Sequence, residues 1–390
     1  MKKEIYLDHG ASTPVHPKVI EAMQPHWADI YANASSVHRH GLAAHQALEQ
    51  ARQQVADLLH ARAEEIVFTG CGSESDNLAL RGVMFAARKA GCGNHLITSA
   101  IEHSAVLKTA VQLRDLFGFD LTILPVDEYG RVSPQDLQQA LRPDTILVSI
   151  MAANNEIGTL QPVTELGNIT RQHGAYFHTD AIQAATTQTW NMTTMPIDLL
   201  SISAHKFYGP KGAGILYIRR NTEIAPMLTG GGQEHGLRAG TSNVAFAVGT
   251  ATALQLVHDE LKERLRHYTT LRDRLIAGIL AGAGNNVVLT GHPTERLPHN
   301  ASFAFRHISG NDLLMHLDMA GIAASSGSAC KSGNPKPSAV LEAIGLSPEW
   351  TKGGLRLTVG MQNNEEEIDY AIEQVVQSAA KLQAIQQKLA

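Results

Sequence analysis

The segment Asp198-Leu199-Leu200-Ser201-Ile202-Ser203-Ala204-His205-Lys206 runs as an apolar strand and ends in a hydroxyl, an imidazole and an amine. A lysine carried into the interior at a strand end loses hydration. Its pKa falls from about 10.4, and the free amine becomes a nucleophile toward an aldehyde, the chemistry of a Schiff base. An isolated lysine is most often solvated at the surface, so the neighbours decide the reading. In His178-Thr179-Asp180-Ala181-Ile182-Gln183 a second strand delivers a carboxylate. An electron-withdrawing pyridine needs its ring nitrogen protonated, and a fixed aspartate such as Asp180 supplies that partner. The turn Gly70-Cys71-Gly72-Ser73-Glu74-Ser75 offers backbone amides and hydroxyls at a helix start, a phosphate cradle in which Ser73 is the leading contact. Neither this turn nor Gly209–Gly214 has P-loop spacing, which argues against a nucleotide site.

A different chemistry belongs to Cys330, in Ser325-Ser326-Gly327-Ser328-Ala329-Cys330-Lys331-Ser332-Gly333-Asn334-Pro335-Lys336-Pro337. This small-residue, polar stretch is unlike a core strand. An exposed thiol beside Lys331 gains thiolate character and can attack sulfur. Cys71 and Cys92 sit in glycine turns, and Cys92 reads as an inert buried thiol. Three cysteines without paired spacing form neither a disulfide framework nor a zinc site, and His38, His40 and His45 lack the carboxylate or thiol partners of a metal centre.

Short β-rich runs must place these groups: Ile66–Thr69, Leu96–Ser99, Leu121–Pro125, Ile146–Ile150, Tyr176–His178, Leu199–Ser203 and Gly214–Ile218. They alternate with helical periodicity over Ala43–Leu59, Asn77–Lys89, Ala105–Phe117 and Thr164–His173, the second entered through the polar cap Ser73-Glu74-Ser75-Asp76. That alternation predicts an α/β fold with a mainly parallel sheet and ligands at the strands' carboxyl ends. One long amphipathic helix spans about Ala251 to Leu280 and opens a second domain, with shorter strands at Val287–Leu289 and Ala301–Phe305. The 390 residues carry a net charge of -5 with both signs mixed along the chain, which leaves no field for nucleic acid or an anionic membrane. No apolar run approaches the roughly 20 residues needed to span a bilayer, and the chain reads as cytoplasmic.

In order along the chain, Tyr6-Leu7-Asp8, Ser35-Ser36-Val37-His38, Ser73-Glu74-Ser75-Asp76-Asn77, Ile101-Glu102-His103, Asn154-Asn155-Glu156-Ile157-Gly158, His205-Lys206, Arg238-Ala239-Gly240-Thr241 and Ser325–Cys330 resemble the class V aminotransferase family of pyridoxal 5′-phosphate (PLP) enzymes. Within it they resemble the cysteine desulfurases of the NifS/IscS type. The resemblance covers nearly the whole chain. It implies fold type I, with a seven-stranded sheet in a large PLP domain over residues 15–255. A smaller α+β domain would combine residues 1–14 and 256–390 and carry the cysteine loop at about 323–337. It also implies a homodimer. Lys206 would carry PLP, Asp180 would meet the ring nitrogen, Gln183 would donate to the ring oxygen, and His103 would stack on the ring and handle protons. Ser73, Ser203 and His205 would hold the phosphate, joined by Thr241 of the second subunit. Asn155 and Arg356, in Gly354-Leu355-Arg356-Leu357, would hold the substrate carboxylate, a task that suits arginine's fork.

On this reading Cys330 takes sulfur from L-cysteine as a persulfide and passes it to an acceptor protein, a scaffold for iron–sulfur assembly or a relay toward transfer-RNA thiolation. No resident metal is implied; Cys330 would at most meet an iron–sulfur cluster on a scaffold in passing. Ser73 stands where the family has threonine, Cys71 where it has a small residue, Ala34 where it has proline, and Met361-Gln362-Asn363-Asn364 where it has a hydroxyl-rich stretch. The rival enzymatic readings are transamination, selenocysteine lysis and kynurenine cleavage, which leave Cys330 idle. The non-enzymatic rival is an interaction protein of the same fold, against which the intact Lys206, Asp180, His103 and Cys330 set argues.

Overall fold

A computed structural model describes residues 4–326 and 337–389; Cys330 lies outside the described residues. Among those residues twelve strands form three sheets. In chain order they are β1 (Ile5–Tyr6), β2 (Ile66–Thr69), β3 (His95–Ser99), β4 (Asp120–Leu124), β5 (Thr145–Ser149), β6 (Tyr176–Asp180), β7 (Leu199–Ser203), β8 (Gly214–Ile218), β9 (Val287–Leu289), β10 (Asn300–Phe305), β11 (Ile322–Ala323) and β12 (Gly354–Thr358).

The large sheet has the order β2-β8-β7-β6-β5-β3-β4. All its strands run parallel except β8, which pairs antiparallel with both β2 and β7. Successive side chains leave opposite faces, so an apolar strand with both faces covered feeds two cores. In β8, Ile215 and Tyr217 enter the core on one face, and Leu216 and Ile218 the core on the other. Helix Gly72–Ala90 and helix Ser104–Phe117 cover the second face, while Arg39–Leu59 and Val163–His173 cover the first.

The helix after β2 starts at Gly72, so Ser73, Glu74 and Ser75 of the expected polar cap lie in its first turn and Asp76 begins its second. A Cβ on Gly72 would lie 2.2 Å from Ile182 Cδ1 and 3.2 Å from Ser203 Cβ; glycine lets the helix begin directly against the ends of β6 and β7. The same helix ends on Gly91 in the left-handed region, φ 70°. Cys92 follows that cap and is exposed, contrary to the buried reading, because the cap turns the chain outward.

The long helix runs from Val244 to Ala283, starting seven residues before the expected position. Asn243 caps it by accepting the Phe246 N–H at 3.2 Å. Its first half contributes Val244, Ala247, Ala251, Leu254 and Val257 to the core beneath the large sheet. Its second half contributes Tyr268, Leu271, Leu275 and Ile279 to a separate core, built with Ile5, Leu7, Phe303, Leu355 and the C-terminal helix Glu365–Leu389. Gly278 and Gly282, one turn apart, admit that C-terminal helix: Cβ atoms there would lie 2.6 Å from Ile372 and 2.5 Å from Val376. The second core is faced by the antiparallel sheet β12-β10-β9 and the parallel pair β1-β11.

Candidate active site

The carboxyl ends of the parallel strands open into one cavity of about 450 Å³, lined by Gly10, Ala11, Cys71, Gly72, Ser73, His103, Met151, Asn155, Asp180, Ile182, Gln183, Ser203, His205, Lys206, Ser325 and Arg356. Nine side chains singled out from the sequence therefore meet: Ser73, His103, Asn155, Asp180, Gln183, Ser203, His205, Lys206 and Arg356. Thr241 lines a different recess, with Gly70, Glu234 and Arg238. Cys330 lies outside the described residues, and Ser325, five residues before it, lines the cavity.

Lys206 ends a single 3₁₀ turn that follows β7. Its Nζ donates to the carbonyls of Gly10 at 2.7 Å and Ala11 at 2.8 Å, so the N-terminal segment folds over the amine. Burial, seconded by the Arg356 charge, pushes the amine down to about 8, against opposing pulls from Asp8 and Asp180. Asp180 closes β6 and accepts the Ile182 N–H at 2.9 Å. Its burial raises the carboxyl, while His103, the Ile182 amide and Lys206 restrain the rise. Gln183 donates through Nε2 to the Gly10 carbonyl at 2.9 Å.

His103 caps helix Ser104–Phe117, its Nδ1 accepting the Ala105 N–H at 3.2 Å, which leaves Nε2 for other work. His205 is pushed down to about 4, by burial first and then by Lys206 and Lys211, and is neutral near pH 7. Arg356, in β12, donates from Nη1 to the Asn155 carbonyl at 2.8 Å and from Nη2 to Asp8 Oδ1 at 2.8 Å. Its buried Nε has no partner. The Gly72–Ser73 turn is pinned by Glu74, which accepts the Gly70 N–H at 2.8 Å and pairs with Arg238 at 2.8 Å.

This donor set fits pyridoxal phosphate. It comprises a buried amine near pKa 8, a buried carboxylate at a strand end, and two serine hydroxyls with a histidine beside the start of a 19-residue helix. Among the described residues, the groups of metal-ligand type that stand close together are Asp76, His103 and Asp180, of which Asp180 belongs to this donor set and His103 lines the same cavity.

The sequence left Asp8, Gly10 and Ala11 without roles, although Tyr6-Leu7-Asp8 stands among its motifs. Asp8 and Arg356 are 348 positions apart, so only the fold shows their pairing. Asp76 and Glu102 lie buried beside Asp180, and their residue types and spacing alone assign them no function.

A mainly parallel sheet whose carboxyl ends gather a buried lysine, an aspartate and a helix start is the scaffold of a PLP enzyme. The chain belongs to the aminotransferase class-V family, which it matches over residues 5–371. It is 44% identical to "Cysteine desulfurase IscS" of Dictyoglomus turgidum over 385 residues, covering 99% of this chain and 97% of that protein. It is 47% identical to "Cysteine desulfurase IscS" of Methanosarcina thermophila over 380 residues, covering 97% and 93%. Among solved structures, a "NIFS-LIKE PROTEIN" superposes with a TM-score of 0.90 at 36% identity over 97% of this chain and 100% of that one. "SspA in complex with cysteine" does so with 0.77 at 36% identity over 92% and 99%.

Proposed function

We propose that the chain is a cysteine desulfurase, which uses PLP to move sulfur from L-cysteine to Cys330 and releases L-alanine. The observation that carries this reading is the meeting of Lys206, Asp180, His103 and Arg356 in one cavity, whose lining includes Ser325, five positions before Cys330 in the sequence. Full-length relatives at 44% and 47% identity are named cysteine desulfurases, and a 36% identical structure holds cysteine.

Lys206 would hold the cofactor's aldehyde carbon, Asp180 its ring nitrogen and Gln183 its ring oxygen. Ser73, Ser203 and His205 would hold the phosphate, with Thr241 supplied by a second copy in a homodimer. When bound, PLP supplies an electron sink that weakens bonds at the α-carbon of an amino acid. Asn155 and Arg356 receive the substrate carboxylate, the guanidinium being held in place by Asp8 and the Asn155 carbonyl. His103, with Nδ1 engaged by the backbone, offers Nε2 for proton transfer. With its amine brought down to about 8, Lys206 can take up and release a proton near neutral pH.

The Cys330 thiolate attacks the substrate sulfur: an S–S bond forms, the C–S bond breaks, and the carbon keeps the electron pair and takes a proton. One thiol and one L-cysteine give one persulfide and one L-alanine, so no outside oxidant is required. The persulfide passes to an acceptor protein, a scaffold of iron–sulfur assembly or a thiolation relay. The reading includes a large domain over 15–255 and a small one over 1–14 and 256–390, their boundary lying inside the continuous helix Val244–Ala283.

Mass spectrometry of the protein after incubation with L-cysteine tests the proposal. One added sulfur atom on Cys330 is the expected result; none, or an addition elsewhere, overturns it. With Cys330→Ser, thiol-dependent sulfide release from L-cysteine should disappear, and its survival would remove the persulfide step.

A further inference from the structure

Behind Asp180, away from the cavity, lies a nest of buried acids that the proposed reaction does not use. Asp76, in the second turn of helix Gly72–Ala90, is 0% exposed, and Glu102, just before His103, is 7% exposed. Ligand-type atoms of Asp76, His103 and Asp180 lie within 4.8 Å of one another. No well-aligned hydrogen bond reaches either Asp76 oxygen; the Ser201 hydroxyl faces the carboxyl but meets His178 Nε2 at 3.0 Å, and that nitrogen is 3.8 Å from Oδ1. Glu102 accepts the Ser99 hydroxyl at 2.5 Å and the Met151 N–H at 3.0 Å through Oε1, leaving Oε2 without a partner.

Three buried carboxyls share this space. Facing them are His178 from β6, His103 from the turn after β3, Lys206 after β7, the Ser201 hydroxyl of β7 and the Cys71 thiol at the helix start. His178 cannot balance them as a cation. Burial pushes it down to about 3, and Ser149 and Ser201 meet its two nitrogens at 2.8 and 3.0 Å. Like charges this close and this dry do not all ionise. Asp180 alone has the Ile182 amide, His103 and Lys206 favouring its charge. Asp76 is pushed well up by burial and then by the Asp180 charge, against a smaller pull from Ser201; Glu102 is pushed up to about 8, chiefly by burial.

We propose that Asp76 is a positioning residue: a neutral carboxylic acid that donates its proton toward the Asp180 carboxylate and so keeps the negative charge on the side chain facing the cofactor's ring nitrogen. This rests on the reading of Asp180 as the ring-nitrogen partner. A donor behind Asp180 makes that carboxylate less basic, so the shared proton stays on the ring rather than crossing to Asp180. Asparagine at position 76 is neutral and can still donate; leucine fills similar space and cannot.

Two measurements test it. The infrared spectrum of the full-length apoprotein at pH 7 should contain a protonated-carboxyl stretch that Asp76→Asn removes. An unchanged carboxyl region means Asp76 is ionised and overturns the proposal. This readout needs no cofactor, so it stands even if the functional reading fails. The second is the ¹⁵N resonance of PLP labelled at its ring nitrogen and bound to the protein. Wild type and Asp76→Asn should give the protonated-ring signal, and Asp76→Leu should shift toward the unprotonated one. Identical signals in the Asn and Leu variants would reduce Asp76 to space-filling and overturn the proposal. Should the Leu variant fail to fold, Asp76→Ala takes its place as the donor-free chain. A wild type that binds no PLP would refute the desulfurase reading while leaving the infrared result on Asp76 intact.

Discussion

The rate at which the apoprotein takes up PLP should follow the ionisation of Lys206. Burial and the Arg356 charge bring that amine from 10.5 to about 8. At pH 7 the neutral fraction is then about 10 per cent, against about 0.03 per cent for an unshifted lysine, roughly a 300-fold gain in nucleophile. Uptake followed by visible absorbance in a stopped-flow instrument should therefore accelerate about tenfold per pH unit between pH 6 and 7.5 and level off above about 8.5. The causes of the shift fix the direction of two variants. Arg356→Gln removes a charge that lowers the amine, so its plateau should move to higher pH. Asp180→Asn removes a charge that raises the amine, so its plateau should move to lower pH. A plateau reached only above pH 10, or an Arg356→Gln shift toward lower pH, would refute the account of Lys206 as a desolvated amine beside a cation.

Arg356→Gln should also raise KM for L-cysteine by about 30-fold or more, roughly 2 kcal/mol, because it removes a charge held by Asp8 and the Asn155 carbonyl for a carboxylate; steady-state kinetics reads this directly. His103→Gln should slow turnover by about 10²- to 10⁴-fold with much less change in KM, the pattern of a lost proton-transfer group. Glu102 holds its proton in the folded protein up to about pH 8, whereas the unfolded chain releases it above about 4.5. Folding therefore binds a proton in that window, and stability falls as pH rises through it. Glu102→Gln should flatten the fall in apoprotein stability between pH 5 and 8 by about 1.4 kcal/mol per pH unit, measured by denaturant titration; an unchanged slope would mean that Glu102 is already ionised.

Lys206, Asp180, Ser203 and His205 were legible because each stands at the end of an apolar run, where an α/β sheet presents its ligand-binding edge. Strand direction was not. Gly-Ile-Leu-Tyr-Ile reads the same whichever way β8 runs, and an apolar strand buried on both faces carries no direction signal. The connection 204–213 did hold a clue, being too short for the helical crossover that a parallel neighbour of β7 requires. The early start of the long helix was hidden by its small residues. Gly249 approaches Met23, where a Cβ would lie 2.5 Å from the sulfur, so packing rather than periodicity sets that stretch. The N-terminal cover over Lys206 escaped notice for another reason. It is made by the carbonyls of Gly10 and Ala11, and backbone acceptors leave no trace in residue type.

Helix Val244–Ala283 belongs to both cores, and at 40 residues it is about 60 Å long. Its two halves cannot be inherited separately. A recombination joint near residue 255 would give Ala251 and Leu254 to one parent's core and Tyr268 and Leu271 to another's, with the rotation of a single rigid helix forced to suit both. Joints before Asn243 or after Gly284 spare that conflict. Variation in this chain is thus expected to accumulate by substitution within each core and not by exchange of one half for a foreign one.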